Sequence, residues 1–153
     1  MAVRVQEADF DLGTEYQHMV DGNHQAGAVV AFVGRVRDFQ KADDGVDVTA
    51  MTLEHYPGMT EKELRRIEQD AHARWPLTDS LIIHRVGRMT PGDQIVLVLT
   101  ASSHRQAAFD AASYLMDYLK TGAPFWKCEE TSAGERWVDA RESDSDALKK
   151  WER

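Results

Sequence analysis

The stretch SHRQAAFDAASYLMDYLKTGAPFWKCE (103–129) decides how the chain is read: a helix, a sharp break and a short extended segment. Ser102 and Ser103 are candidate helix caps, and His104 and Arg105 follow directly. Ala108, Ala111, Ala112, Leu115 and Leu119 recur at helical spacing and form one apolar face. Gln106, Asp110, Ser113, Asp117 and Lys120 form the opposite, polar stripe. Gly122 is expected to supply the left-handed residue that ends helices, and Pro124 forbids their continuation. A helix of roughly 18 residues separates its ends by about 25 Å at 1.5 Å rise per residue. His104 and Arg105 therefore cannot share one compact site with Lys120 inside one chain. The site is expected to be elongated or shared between protomers.

Outward from that stretch, 153 residues suit one domain with a substantial core, spanning 1–153. A net charge of −8 argues against a nucleic-acid or anionic-membrane surface and makes a local cluster of cations more informative. Cys128 is the single cysteine, which excludes internal disulfides and cysteine-rich zinc sites and suits a reducing cytosol. No apolar run reaches the length of a signal peptide or a membrane span, so the expectation is a cytoplasmic protein.

Residues 3–6 alternate weakly and are expected to form an edge strand, followed by a short helix over 14–20. AGAVVAFVGRV (26–36) is apolar on both faces and is expected at the centre of a sheet, with a bulge at Gly34. DFQKADDGVD (38–47) reads as a mobile polar loop. Strands follow at 49–56, 81–86 and 94–101, the last of them central. A helix from Thr60, with Glu63 completing a capping box, runs to Trp75 and stops at Pro76. Two short strands at 125–130 and 136–138 flank a turn at Ala133–Gly134, and Ser143 with Asp146 is expected to cap a final polar helix. Hairpins between helices point to α+β rather than a doubly wound sheet.

Lys120 in a last helical turn complements the dipole and can pair with Asp117, which is its ordinary role. Lys127 changes that balance, because the break folds it back past the helix end. Two ammonium groups brought close depress each other's pKa, which suits proton transfer near neutrality, or the pair holds a phosphate or oxyanion. Arg35 and Arg37 lie at period two beside the polar loop and can clamp a phosphate with their guanidinium forks. His104 and Arg105 mark a helix start that favours anions. Cys128 beside Lys127 is more often a buried cysteine than an activated thiol. His18, His24, His55, His72 and His84 show no metal-ligand spacing, so no metal is expected. The residues alone describe an α+β domain with a cationic pocket for a phosphorylated or carboxylated small molecule.

Six stretches carry a resemblance: FVGRVRDF (32–39), LEHYPGMTEKEL (53–64), IHRVGRMTPGD (83–93), SHRQAAFDA (103–111), MDYLKTGAPFWK (116–127) and GERWVDARESD (134–144). Together they resemble the large, catalytic subunit of molybdopterin synthase, the MoaE family. The resemblance implies an α/β-hammerhead-like fold with an additional β-rich subdomain. It implies conversion of cyclic pyranopterin monophosphate (precursor Z) to molybdopterin by insertion of two dithiolene sulfurs. The donor would be the C-terminal Gly-Gly thiocarboxylate of a small ubiquitin-like subunit, within a heterotetramer built on a homodimer of large subunits. No cofactor is implied, since molybdenum would enter later on another protein. By motif, Lys120 and Lys127 match active-site lysines, and Arg37, His104 and Arg105 match substrate-contacting positions. Arg35, Val36, Cys128 and Glu129 adjoin them, and Cys128 stands where the family carries a basic residue. The competing reading is a non-catalytic binding protein for a phosphorylated metabolite or a ubiquitin-like partner, which would tolerate loss of either lysine.

Overall fold

The computed structural model describes residues 1–38, 47–138 and 148–152. Residues 39–46 of the polar loop expected over 38–47, and the Ser143–Asp146 cap, lie outside those residues. The first sheet is built from β1 (Ala2–Gln6), β2 (Ala28–Arg35), β4 (Leu77–Arg85) and β6 (Gln94–Ser102), in the order β1-β4-β6-β2. Only β1 and β4 run parallel; the other pairs are antiparallel. The second sheet, in the order β5-β3-β7-β8, takes β3 (Val48–His55), β5 (Gly87–Met89), β7 (Phe125–Thr131) and β8 (Gly134–Val138). It supplies the β-rich part that the resemblance implied, and the whole is α+β.

Helices α2 (Met59–Arg74) and α3 (Arg105–Gly122) cover one face of the first sheet, with Leu64, Ile67, Ala71, Leu115 and Leu119 packed on Ile82 and Val98. On the other face, Phe10 and Met19 of α1 (Leu12–Val20) and the segment before it pack on Leu81, Ile83, Leu97 and Leu99. β6 is central, as its uniform apolarity requires, because both of its faces are covered.

Four local expectations are corrected. β2 is an edge strand rather than a central one, although Val29 and Val33 feed one core and Val30 the other. Helix α3 is capped at His104, not Ser102 or Ser103, with no side-chain cap bond; Ser102 Oγ instead donates to the Pro76 carbonyl at 2.8 Å. Gly122 is not among the positive-φ residues, so α3 ends by passing into extended Ala123. Helix α2 begins after Gly58, where only the returning half of a capping box exists, the Glu61 carboxylate accepting from the Gly58 N–H. The Gly34 bulge is present as a register shift between Gly34 and Arg35.

Candidate active site

Lys120 sits exposed in the last turn of α3. The carboxylate three residues before it is engaged elsewhere: Asp117 Oδ2 accepts from Trp151 Nε1 at 2.7 Å and lies 3.2 Å from Lys150 Nζ. Both partners belong to the turn Leu148–Trp151, which docks on α3 with Trp151 packed edge-on against Trp75 and Tyr114. The chain then reverses through Ala123 and Pro124. Phe125 N–H donates back to the Ala123 carbonyl at 2.9 Å, and the buried Thr60 hydroxyl donates to the Pro124 carbonyl at 3.0 Å.

Strand alternation puts Lys127 on the same side of β7 as Phe125. The register sets Lys127 beside Leu53 and Val138, and Glu129 beside Met51 and Arg136; the Glu129 carboxylate lies 3.7 Å from the Arg136 guanidinium. Cys128 faces the other side of the sheet, buried and paired with Trp137. Burial, then the nearby Glu135 and Glu54 carboxylates, push its thiol upward, so it is a protonated thiol at neutral pH.

Val36 links this face to the first sheet. Its side chain is buried against Met51, Leu53 and Met89, its N–H donates to the Asp93 carbonyl at 2.8 Å, and its carbonyl accepts from the Gly92 N–H at 2.6 Å. The Arg35 guanidinium donates to the Gly92 carbonyl at 3.2 Å, and Arg37 is exposed just beyond. The junction between the sheets thus gathers Arg35, Val36, Arg37, Lys127 and Glu129.

His104 and Arg105 are elsewhere. Ala28 pairs with Ser102 at one end of β2, and Arg35 pairs with Gln94 at the other. Seven strand steps at about 3.3 Å put the helix start roughly 23 Å from the junction. The cations therefore form two groups at opposite ends of β2 and α3. Between those ends lies a largely apolar groove of about 310 Å³ between β2 and α3: the exposed Phe32 and Phe109 line it with Val30 and Met116, and Ser113 and Asp117 add a polar edge.

The site also contains residues that sequence reasoning set aside. His84 is buried at the end of β4, its ring stacked on Phe125 with centroids 3.9 Å apart and planes 21° apart. Its Nδ1 lies 2.9 Å from the Arg85 carbonyl, which can only accept, so Nδ1 carries the hydrogen. Burial above all, with Lys120 in range, pushes His84 down to about 4, and it is neutral at physiological pH. His55 Nε2 lies 3.3 Å from the Glu61 carboxylate. The apolar run Leu81–Ile82–Ile83 ahead of His84 was the available signal, since it marks a strand that carries its neighbours inward.

The family model described as MoaE protein matches residues 5–122. The chain is 57% identical over 152 residues to a molybdopterin synthase catalytic subunit from Pseudomonas aeruginosa, covering 99% of each. Its fold is similar to a molybdopterin biosynthesis MoaE protein from Burkholderia ambifaria, with a TM-score of 0.84, 51% identity and 99% of each chain covered. A molybdopterin synthase from Staphylococcus aureus is similar with a TM-score of 0.80 and 32% identity, over 89% of this chain and 96% of that one.

Proposed function

The chain belongs to the MoaE family, and from that premise we propose that it is the catalytic subunit of a molybdopterin synthase. It converts cyclic pyranopterin monophosphate to molybdopterin, taking two dithiolene sulfurs from the thiocarboxylated C-terminus of a small ubiquitin-like carrier. One observation supports this reading more than any other: Lys120 and Lys127 flank a single reversal, at Ala123 and Pro124, tied down by Thr60 and by the His84–Phe125 stack. Lys127 orients the substrate or the carrier's terminal carbonyl. Lys120 stabilises the negative charge that develops as sulfur attacks, or moves the proton that lets an oxygen leave.

Arg37, with Arg35 and Val36 alongside, binds the substrate phosphate at the sheet junction, and His104 and Arg105 come from a second copy of the chain. The argument is geometric. β2 is an unpaired edge among the described residues, and its neighbourhood exposes Phe32 and Phe109. Two copies meeting there about a two-fold axis, with β2 antiparallel to itself, set the start of one strand beside the end of the other. Each junction then receives the partner's helix start, which removes the 23 Å separation. The bridge made by Val36 supports reading residues 1–153 as one domain. The single cysteine suits a reducing compartment, and we assign the cytoplasm on that ground; none of the described helices is long and apolar enough to cross a membrane.

The test mixes the purified chain with thiocarboxylated carrier and precursor Z and follows the dithiolene product. Product formation supports the reading. Binding of the pterin phosphate without any product supports the non-catalytic alternative and overturns it.

A further inference from the structure

Lys120 belongs to a helix packed on the first sheet, whereas Lys127 belongs to the second sheet. Their separation depends on the angle at which β7 leaves α3. Three contacts hold that departure: the Phe125 N–H on the Ala123 carbonyl, the Thr60 hydroxyl on the Pro124 carbonyl, and the Phe125 ring on His84. Of these three, the ring contact is the one that reaches the first sheet, where Phe125 also packs against the core around Ile82 and Val96. His84 is well placed for it. The residue pairs with Val5 of β1 on one side and Val96 of β6 on the other, and its ring is turned by the bond to the Arg85 carbonyl. From the second sheet, Phe125 is held in turn by its pairing with His55.

We propose that His84 is a positioning residue for sulfur transfer: stacked on Phe125, it fixes the start of β7 and so the relative placement of Lys120 and Lys127. This rests on the molybdopterin synthase reading. His84 touches no substrate in it and acts through Phe125. The ring must also be uncharged, because a third cation beside Lys120 and Lys127 would compete for the same anion. Its enclosure keeps it so, and the aromatic stack needs a flat ring rather than a flexible amide.

The experiment is steady-state kinetics of the reconstituted two-subunit enzyme with precursor Z, with carrier affinity and melting temperature measured alongside. His84→Gln keeps a hydrogen-bond donor but cannot stack, and His84→Phe stacks but cannot donate. A misplacement of about 1 Å can cost on the order of a hundredfold, so His84→Gln is expected to lower kcat by about tenfold or more. KM for the pterin and affinity for the carrier stay within about twofold of wild type, because the loss falls on the transition state alone. His84→Phe restores most of the rate, and in a Phe125→Leu background His84→Gln brings little further loss, since the two act as one unit. Retained kcat in His84→Gln overturns the proposal, as do equal losses in both variants that track their melting temperatures. Should His84→Gln fail to fold, Phe125→Leu is read instead, and an undiminished kcat there overturns the proposal. A wild-type enzyme without product overturns the functional reading, and this inference with it.

Discussion

The Thr60 hydroxyl donates to the Pro124 carbonyl at 3.0 Å while accepting from the Tyr56 N–H at 3.0 Å. One buried side chain in the first turn of α2 thereby holds both the chain entering that helix and the reversal between the two lysines. Thr60→Val keeps the shape and removes both bonds. Leaving buried groups unpartnered costs about 1–3 kcal/mol. For a chain of this size each kcal/mol lowers the melting temperature by roughly 2–4 °C. Calorimetry should therefore show a drop, accompanied by a fall in kcat larger than the fall in carrier affinity.

Two buried groups give opposing pH dependences. Glu68 is pushed up from 4.5 to about 7, mainly by burial, although it accepts from Ser80 and from the Ala2 N–H. As pH rises through this window the unfolded carboxyl ionises first, so its contribution is full below 4.5 and lost on reaching 7. His84 runs the other way: lowered from 6.5 to about 4, it contributes above 6.5 and loses that contribution as pH falls toward 4. His72, lowered by burial, adds to the second slope. At about 1.4 kcal/mol per unit, the Glu68 and His84 contributions are each on the order of 3 kcal/mol in total, and their slopes largely cancel between pH 4.5 and 6.5. Urea unfolding of Glu68→Gln should gain on wild type as pH rises from 5 to 8. His84→Phe should gain on wild type as pH falls from 7 to 5.

A Cβ on Gly27 would collide with the Ser103 backbone carbonyl, immediately before the cap of α3. Backbone cannot swing aside as a side-chain tip can. Gly27→Ala is expected to cost about 1–3 kcal/mol, the usual range for forced overpacking, and to displace the His104–Arg105 end. Thermal unfolding reports the first effect and a raised KM for the pterin phosphate reports the second.

Phe109 is exposed on α3 and Phe32 on β2, on either side of the same groove. Phe109→Glu should convert a dimer to a monomer in light scattering with little change in melting temperature of the protomer. Activity should fall with it. Mixing Arg105→Ala with Lys127→Ala subunits should then restore up to about a quarter of the native sites, because symmetric sharing lets some heterodimer sites carry both residues.

Much of this was legible in the chain. The buried face of α3, the β7–β8 hairpin, the Gly34 bulge and the separation of Lys120 from His104 all follow from periodicity, turn chemistry and helical rise. β2 was misplaced because an apolar strand signals burial without saying what buries it. Neighbouring strands and a second subunit leave the same composition. The caps of α2 and α3 were misassigned for a related reason: Thr60 and Ser102 are good cap residues whose hydroxyls are drawn to the Pro124 and Pro76 carbonyls, contacts set by tertiary structure. The role of His84 has no local signature, because its stack on Phe125 joins residues 41 positions apart.

The most direct measurement is a single-turnover assay of dithiolene formation by Lys120→Ala and Lys127→Ala, each with thiocarboxylated carrier and precursor Z, beside calorimetry and carrier binding. The account predicts that Lys120→Ala forms no product while folding normally and binding carrier as wild type does, and that Lys127→Ala is severely slowed. Turnover at the wild-type rate in Lys120→Ala would contradict it.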